Sequence, residues 1–320
     1  MKYLITGGAG FIGSNLSIKL LEEDENSVII LDDISTGSLE NLDYIKGHER
    51  LEIYEGNILN SDLLESLVSK SDMVFHMAAA VGVQYINDNP LHTLNTNVKG
   101  TELVLDMCAK FNCKVMIFST SEVYGKSSKK LFSEEDDRIM GSTSIPRWGY
   151  ATSKALDEFL AFAYHREKNL PVILVRLFNT VGVNQSHRYG MVIPRFIEQA
   201  LSNDKITVFG DGQQSRCFCN VKDVVRAILL LSKEQKAVGQ LFNIGSKEEV
   251  TILKLAQKII SISNSQSEIK FIPHKDVFGN LFEDMHRRVP DIQKINKLVG
   301  FKPEIGIDET LQELINLKKN

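Results

Sequence analysis

A short apolar run, Tyr3-Leu4-Ile5-Thr6, leads straight into glycines at 7, 10 and 13, and this spacing constrains the chain more than any other feature. Gly7 lets the backbone turn sharply out of a strand. Gly10 has no side chain to hold a pyrophosphate away from the main chain. Gly13 lets the following helix pack close on a sheet. That helix pattern carries Ile12, Leu16, Leu20 and Leu21 on one face, and its N-terminus offers free N–H groups and partial positive charge to phosphates. A glycine triplet alone can serve simply to pack a helix on a sheet. Here a second strand pattern follows, Val28-Ile29-Ile30-Leu31, and it ends in Asp32. Strand, glycine turn, helix and second strand together predict a dinucleotide site.

Asp32 lies about 20 residues beyond the glycines, where a carboxylate accepts hydrogen bonds from ribose hydroxyls and repels a 2′-phosphate. The expected cofactor is therefore NAD rather than NADP. Asp33 is adjacent and can share the task.

With 320 residues the chain can bury a large core and form two lobes. A net charge of −4 argues against a nucleic-acid surface. No apolar run approaches the roughly 18 residues of a membrane span. The first strand pattern begins at residue 2 or 3, with nothing resembling a signal peptide, so a cytoplasmic protein is expected. Cys108, Cys113, Cys217 and Cys219 form neither the pairs of a zinc site nor a disulfide scaffold and read as reduced thiols. Cys217 and Cys219 flank Phe218 as strand neighbours do, which suits packing. His165, His274 and His286 lack metal-ligand spacing, and no metal is expected.

The first half alternates strand and helix. Strands are predicted at 2–6, 27–32, 51–55, 72–76, 114–119 and 171–177, and helices at 11–24, 61–69, 90–111 and 148–168. This rhythm implies an α/β fold, a doubly wound parallel sheet of the Rossmann kind covered on both faces. Polar stretches at 33–50 and 125–147 read as long loops, which are usually functional. Beyond 178 come a helix at 191–203, a strand from 206 running into a turn at 210–212, and a strand near 217–221. A helix at 222–234, a strand near 240–244, a helix at 251–263, a strand at 268–272 and helices near 291–299 and 308–318 complete the chain. The expected division is an NAD-binding domain at 1–178 plus about 217–247, with a smaller α/β substrate-binding lobe at 179–216 and 248–320.

Tyr150 and Lys154 sit four apart on a predicted helix and so share a face. An ammonium beside a phenol favours phenolate and is expected to lower the tyrosine pKa toward working pH. Tyr-x-x-x-Lys is common by chance. It gains weight from the strand pattern Ile117-Phe118-Ser119-Thr120-Ser121-Glu122, which brings hydroxyls and a carboxylate to the sheet's carboxyl edge. Ligands sit at that edge in such folds.

Taken together, these pieces resemble an extended short-chain dehydrogenase/reductase, specifically the nucleotide-sugar epimerase/dehydratase/decarboxylase family. The likeness covers essentially the whole chain. It rests on the glycine segment 7–13, His76-Met77-Ala78-Ala79, Asn97-Val98-Lys99-Gly100-Thr101, the segments 119–125, 150–154 and 176–182, Gly210-Asp211-Gly212, Arg216, and Arg288-Val289-Pro290-Asp291. The resemblance implies that Tyr150 takes the proton from a sugar 4-hydroxyl as NAD takes hydride from C4. Lys154 would hold the nicotinamide ribose and Thr120 the 4-oxygen. Gly7, Gly10, Phe11, Ile12, Gly13, Asp32, Asp33, Asn57, Ile58, Ala78, Ala79 and Ala80 would hold the cofactor together with Tyr150 and Lys154. Asn179 and Arg216 would contact the pyrophosphate, and so would Arg288 unless it bridges to Asp284 or Asp291 at the surface. Ser121 is expected at the substrate. Asn97 is expected to hold backbone geometry rather than touch substrate.

Glu122 discriminates among the reactions of this family. Once C4 is a ketone the C5 proton is acidic, and a carboxylate beside it can act as base. Capping a turn is the plain alternative for this residue. The 4,6-dehydratases resemble this segment but carry Asp-Glu, and Ser121 is a poor acid in place of that Asp. Ser-Glu resembles UDP-glucuronate decarboxylases and some unusual dehydratases. The leading expectation is an NAD-dependent epimerase/dehydratase acting on a UDP-sugar through a 4-keto intermediate, with chemistry at C5 or C6. A UDP-glucuronate decarboxylase comes second and needs an arginine facing the C6 carboxylate. A plain 4-epimerase comes third and a silent NAD-binding sensor last. His187, beside Arg188 and Tyr189, reads as an exposed loop histidine, and the acidic run at 134–137 as a solvated loop. Phe159, Phe162 and Ala163 suit either the core or the helix pair of a homodimer such as relatives form.

Overall fold

Strands buried on both faces must be apolar at consecutive positions, and those of this chain sort by parity onto two cores. The computed structural model describes residues 1–80, 86, 89–186, 191–278, 285 and 287–319. Its strands are β1 (Lys2–Thr6), β2 (Ser27–Asp32), β3 (Leu51–Glu55), β4 (Met73–His76), β5 (Lys114–Thr120) and β6 (Val172–Leu177). Then come β7 (Thr180–Val181), β8 (Ile206–Phe209), β9 (Ser215–Cys217), β10 (Cys219–Asn220), β11 (Gln240–Ile244), β12 (Glu249–Thr251) and β13 (Ile269–Ile272). Seven of them form one parallel sheet in the order β11-β6-β5-β4-β1-β2-β3. Tyr3, Ile5, Val28, Ile30, Phe75, Met116 and Val175 face one core, under the helices Phe11–Leu21 and Val221–Lys233. Leu4, Ile29, Leu31, Val74, Ile117 and Leu174 face the other, under Ser61–Val68, Gly100–Phe111 and Pro146–Lys168.

The strand order reverses between β1 and β4. Helices leaving these strands diverge there and open a crevice at the carboxyl edge. The smaller lobe stands over that crevice on short ladders, β8 with β13, β9 with β12 and β7 with β10. Its core gathers Phe196, Ile206, Val208, Leu255, Ile259, Leu311 and Ile315. Ile292, Ile295 and Phe301, expected with this lobe, pack instead with Phe242 and Val224 in the first core. The tail crosses back because Phe132 and residues 289–291 bond backbone to backbone at 2.8–2.9 Å, which pulls Arg288 over the crevice.

Two further departures from the sequence expectation bear on the site. The pattern at 90–111 is broken into Pro90–Leu94, a π-helical turn Asn95–Lys99 and Gly100–Phe111. The wide turn lets Asn97 accept from the Ala80 N–H at 2.9 Å and donate to Ser153 Oγ at 3.2 Å, the geometry-holding role expected of it. The helix expected at 148 starts at Pro146, whose missing N–H is no loss in a first turn. Arg147 is thereby placed on the same helix as Tyr150.

Among the described residues, no helix is long and apolar enough to cross a membrane, and no side-chain cluster could hold a metal ion. All four cysteines are unpaired and buried. Gly7 takes a left-handed φ of +76°, and a Cβ on Gly13 would lie 2.4 Å from the Gly7 carbonyl oxygen. Gly13→Ala should therefore force the helix off the sheet. We expect thermal unfolding to show a loss of about 1–3 kcal/mol, with weakened dinucleotide binding by calorimetry. Unchanged values of both would refute the close-approach argument.

Candidate functional site

A cleft of about 1010 Å³ lies above the carboxyl edge, between sheet and smaller lobe. Its first end is the glycine turn. A side chain on Gly7 would strike the Ala78 backbone nitrogen at 2.8 Å, so loop and β4 end close only on glycine. Gly10 provides no side-chain cap for the helix behind it. The first-turn N–H groups therefore remain for a ligand, as a dinucleotide pyrophosphate requires. Asp32 accepts from the Ala9 N–H at 2.9 Å and the Ile34 N–H at 2.8 Å, tying the turn to the end of β2. Burial raises its pKa and these two bonds oppose the rise. Gly7, Gly10, Phe11, Ile12, Gly13, Asp32, Asp33, Ile58, Ala78, Ala79 and Ala80 all line the cleft. Asn57, also expected at the cofactor, donates to Asp33 Oδ2 at 2.9 Å. This end fits a dinucleotide with free ribose hydroxyls.

Thr120, Ser121, Glu122, Tyr150 and Lys154 converge on the middle of the same cleft. The end of β5 turns through a 3₁₀ segment, Ser121–Tyr124, which turns Glu122 toward the helix Pro146–Lys168. Arg147 meets its carboxylate with Nη2 at 2.9 and 3.1 Å and Nε at 3.2 Å. Arg288 pairs with the same carboxylate, donates to Ser121 Oγ at 3.4 Å and to Asn179 Oδ1 at 3.3 Å, and leaves its buried Nε without a hydrogen bond. Two guanidinium charges thus enclose one carboxylate. Arg288 is buried and pairs with Glu122 rather than Asp291. Asp291 lies toward Lys247 at 3.9 Å, and Asp284 falls outside the described residues, as do His187, Arg188, Tyr189 and His286.

The electrostatics of Tyr150 differ from expectation. Its phenol is pushed up, by burial first and then by the carboxylates of Glu122 and Asp157, while a hydrogen bond with Thr120 pulls it down. The expected lowering by Lys154 is not among the resolved causes, and that ammonium lies 2.7 Å from Asp157 Oδ2. Farther along, Arg216 is buried against the lobe, donating to the Ser215 carbonyl at 2.8 Å, and lines the cleft with Asn179, Phe209 and Phe218. Arg195 stacks on the Phe209 ring at 4.0 Å.

Arg147 was not among the residues expected from sequence. A usable signal existed, since it precedes Tyr150 by three on one helix and shares its face. The sheet brings Glu122 and Arg288 together across 166 residues, which no local spacing could reveal.

Residues 4–314 match the GDP-mannose 4,6 dehydratase family. The chain belongs to this family. It is an extended short-chain dehydrogenase/reductase whose neighbours are nucleotide-sugar dehydratases, epimerases and decarboxylases. A UDP-N-acetyl-alpha-D-glucosaminuronate decarboxylase of Bacillus cytotoxicus is 39% identical over 313 residues, 98% of this chain and 96% of that one. UDP-glucuronic acid decarboxylase 1 of Danio rerio is 34% identical over 315 residues, 98% of this chain and 72% of that one. Among solved structures, the UDP-glucuronic acid 4-epimerase of Bacillus cereus, in complex with UDP-glucuronic acid and NAD, aligns with a TM-score of 0.90 at 28% identity. That alignment covers 100% of this chain and 99% of the other. This family member is an NAD-dependent enzyme acting on a nucleotide sugar.

Tyr150→Phe keeps the ring packing and removes the phenolic oxygen. We expect cofactor and nucleotide affinities to hold within a few-fold while turnover falls about 10²–10⁴-fold. Turnover near that of the parent would remove Tyr150 from the chemistry.

Proposed function

We propose that this enzyme decarboxylates a UDP-linked hexuronate through its 4-keto form. The observation that carries the reading is the Arg147–Glu122–Arg288 cluster at the Tyr150 end of the cleft. Two guanidinium groups stand together there, and a carboxylate on the substrate is a ligand that suits them. Arginine's planar fork binds such a group with two parallel bonds. Relatives at 39% and 34% identity that are named for removing the carboxyl group of UDP-linked uronic acids support it.

Tyr150 accepts the proton of the sugar 4-hydroxyl, and Thr120 hydrogen-bonds the same oxygen. NAD, held by the glycine turn, Asp32 and Lys154, supplies a reversible hydride acceptor at C4. A ketone at C4 makes the C6 carboxylate the acid group of a β-keto acid. The C5–C6 bond then breaks, carbon dioxide leaves, and its electron pair passes into the C4 carbonyl as an enolate. Tyr150 and Thr120 stand at the oxygen where that charge collects. Arg147 and Arg288 orient the carboxylate, and Glu122 keeps the two guanidinium groups apart and aimed. C5 then takes a proton from solvent, and return of the hydride to C4, with the Tyr150 proton passing back to the 4-oxygen, would give the UDP-pentose and leave the cofactor oxidised again. Asn179 and Arg216 lie where the nucleotide pyrophosphate would run.

The Bacillus cereus neighbour supports a second reading, 4-epimerisation of a UDP-uronate with the carboxyl group retained. Elimination of a 6-hydroxyl is less well served, because Ser121 offers no acid for the leaving group. Incubation with UDP-glucuronate and its 2-acetamido analogue separates these outcomes by mass and NMR. We expect carbon dioxide and a UDP-pentose, with solvent deuterium at C5. Unchanged mass with inversion at C4 would establish the epimerase instead. Arg147→Met should cut kcat/KM for the uronate at least about tenfold and leave UDP affinity unchanged, since charge-assisted bonds contribute about 1.5–3 kcal/mol.

Leu156 and Phe159, 43% and 60% exposed on the Pro146–Lys168 helix, support a homodimer through that helix. Sedimentation should give a dimer for the parent and a monomer for Phe159→Asp. A monomeric parent would reject the assignment.

A further inference from the structure

The proposed chemistry uses Lys154 but gives no part to Asp157, three residues farther along the same helix. The two side chains are 3% and 0% exposed, with Nζ 2.7 Å from Oδ2. The other oxygen, Oδ1, is sealed from solvent. It lacks a hydrogen bond of ordinary geometry among the described residues, although the Thr101 hydroxyl lies against the carboxyl. A buried carboxylate with an orphaned oxygen is costly to hold and marks a position fixed by more than packing.

We propose that Asp157 is a positioning residue that pins one N–H of Lys154 and offsets its charge, so that Tyr150 keeps its proton until the pair is drawn apart. Two ammonium N–H donors remain for ligand hydroxyls at the cleft wall, where Lys154 lies. Any contact that draws Nζ away from Oδ2 brings the unopposed ammonium field to bear on the phenol. The pair thus couples occupation of the cleft to readiness of the base.

The neighbouring groups leave this role to Asp157. Glu158 is taken by Arg176 on β6 at 2.7 Å. His76 on β4 is held neutral, by burial first and then by Lys154, with its pKa at about 3, and bonds Thr101 Oγ1 at 3.0 Å. Glu122, at the end of β5, is engaged by Arg147 and Arg288. Burial, Glu122 and Asp157 all raise the Tyr150 pKa, and only the Thr120 hydrogen bond is resolved against them.

The test titrates ligand-free protein upward from neutral pH by phenolate absorbance. The Tyr150 signal is the difference from the matching protein that also carries Tyr150→Phe. Asp157→Asn should move that signal down by about one pH unit or more, because a buried negative charge is removed beside an ammonium. Lys154→Met should move it up. Lys154→Met with Asp157→Leu replaces a neutral ion pair by a neutral apolar pair, and should return it to within about half a unit of the parent. In the holoenzyme the acid limb of kcat/KM should follow Asp157→Asn downward, and Asp157→Glu should restore it. An unmoved signal in Asp157→Asn overturns the proposal. So does a double variant displaced as far as Lys154→Met, which also decides the matter if Asp157→Asn fails to fold. Neither readout depends on whether carbon dioxide is the product.

Discussion

A parallel strand buried on both faces can offer polar side chains only at its ends, and this enzyme is arranged around that restriction. Residues 115–117 of β5 are fully buried and apolar, and hydroxyls begin at Ser119. The reacting groups therefore stand at one edge of the sheet. The same restriction fixes the cofactor end, where β1 runs into Gly7 and β2 into Asp32. Because the strand order reverses between β1 and β4, the helices there diverge and leave room for a ligand as long as a dinucleotide. The smaller lobe does not create this cleft. It covers it, and the returning tail adds Arg288 from above.

Charge decides what chemistry the cleft can do. Glu122 is 17% exposed, Arg147 11% and Arg288 9%, so these groups are largely removed from water. Desolvating three ions is expensive, and the pairing returns only part of that cost. Lys154 and Asp157 form a second buried ion pair on the same helix, 3% and 0% exposed.

Much of this was legible in the sequence, because periodicity reports burial directly. The strands of the central sheet fall within a residue of their expected bounds, since most are apolar runs between turn signals and the edge strand β3 alternates. Tyr150 and Lys154 were visible as a pair because helical spacing places them on one face. Other features follow from contacts between distant segments. Periodicity at 90–111 cannot distinguish an unbroken helix from one carrying a π turn, as both keep an apolar face, so the reach of Asn97 to Ala80 stayed hidden. The cross-back of 289–291 onto Phe132 depends on backbone pairing that no side-chain pattern encodes. The expected effect of Lys154 on Tyr150 failed for a different reason. Asp157 is fully buried beside Thr101 and Lys154, which no local spacing reveals.

Behind the site lies a polar network of contrasting character. Arg176 holds Glu158 at 2.7 and 2.9 Å, Tyr124 donates to Asn243 at 2.7 Å, and Asn243 donates to the Phe132 carbonyl at 2.8 Å. The Asn243 N–H reaches Glu134 at 2.7 Å, so a residue from the acidic run at 134–137 is built into the interior rather than solvated. These bonds join β5, β6, β11 and the loop at 125–147, from which the Tyr150 helix begins. A satisfied network of this kind rigidifies its surroundings. The network meets that helix at Glu158, one residue beyond Asp157. Among the described residues, Oδ1 of Asp157 and Nε of Arg288 are buried without a hydrogen bond of ordinary geometry. Satisfaction behind the site and deficit within it put the freedom to rearrange at the residues that must respond to a ligand.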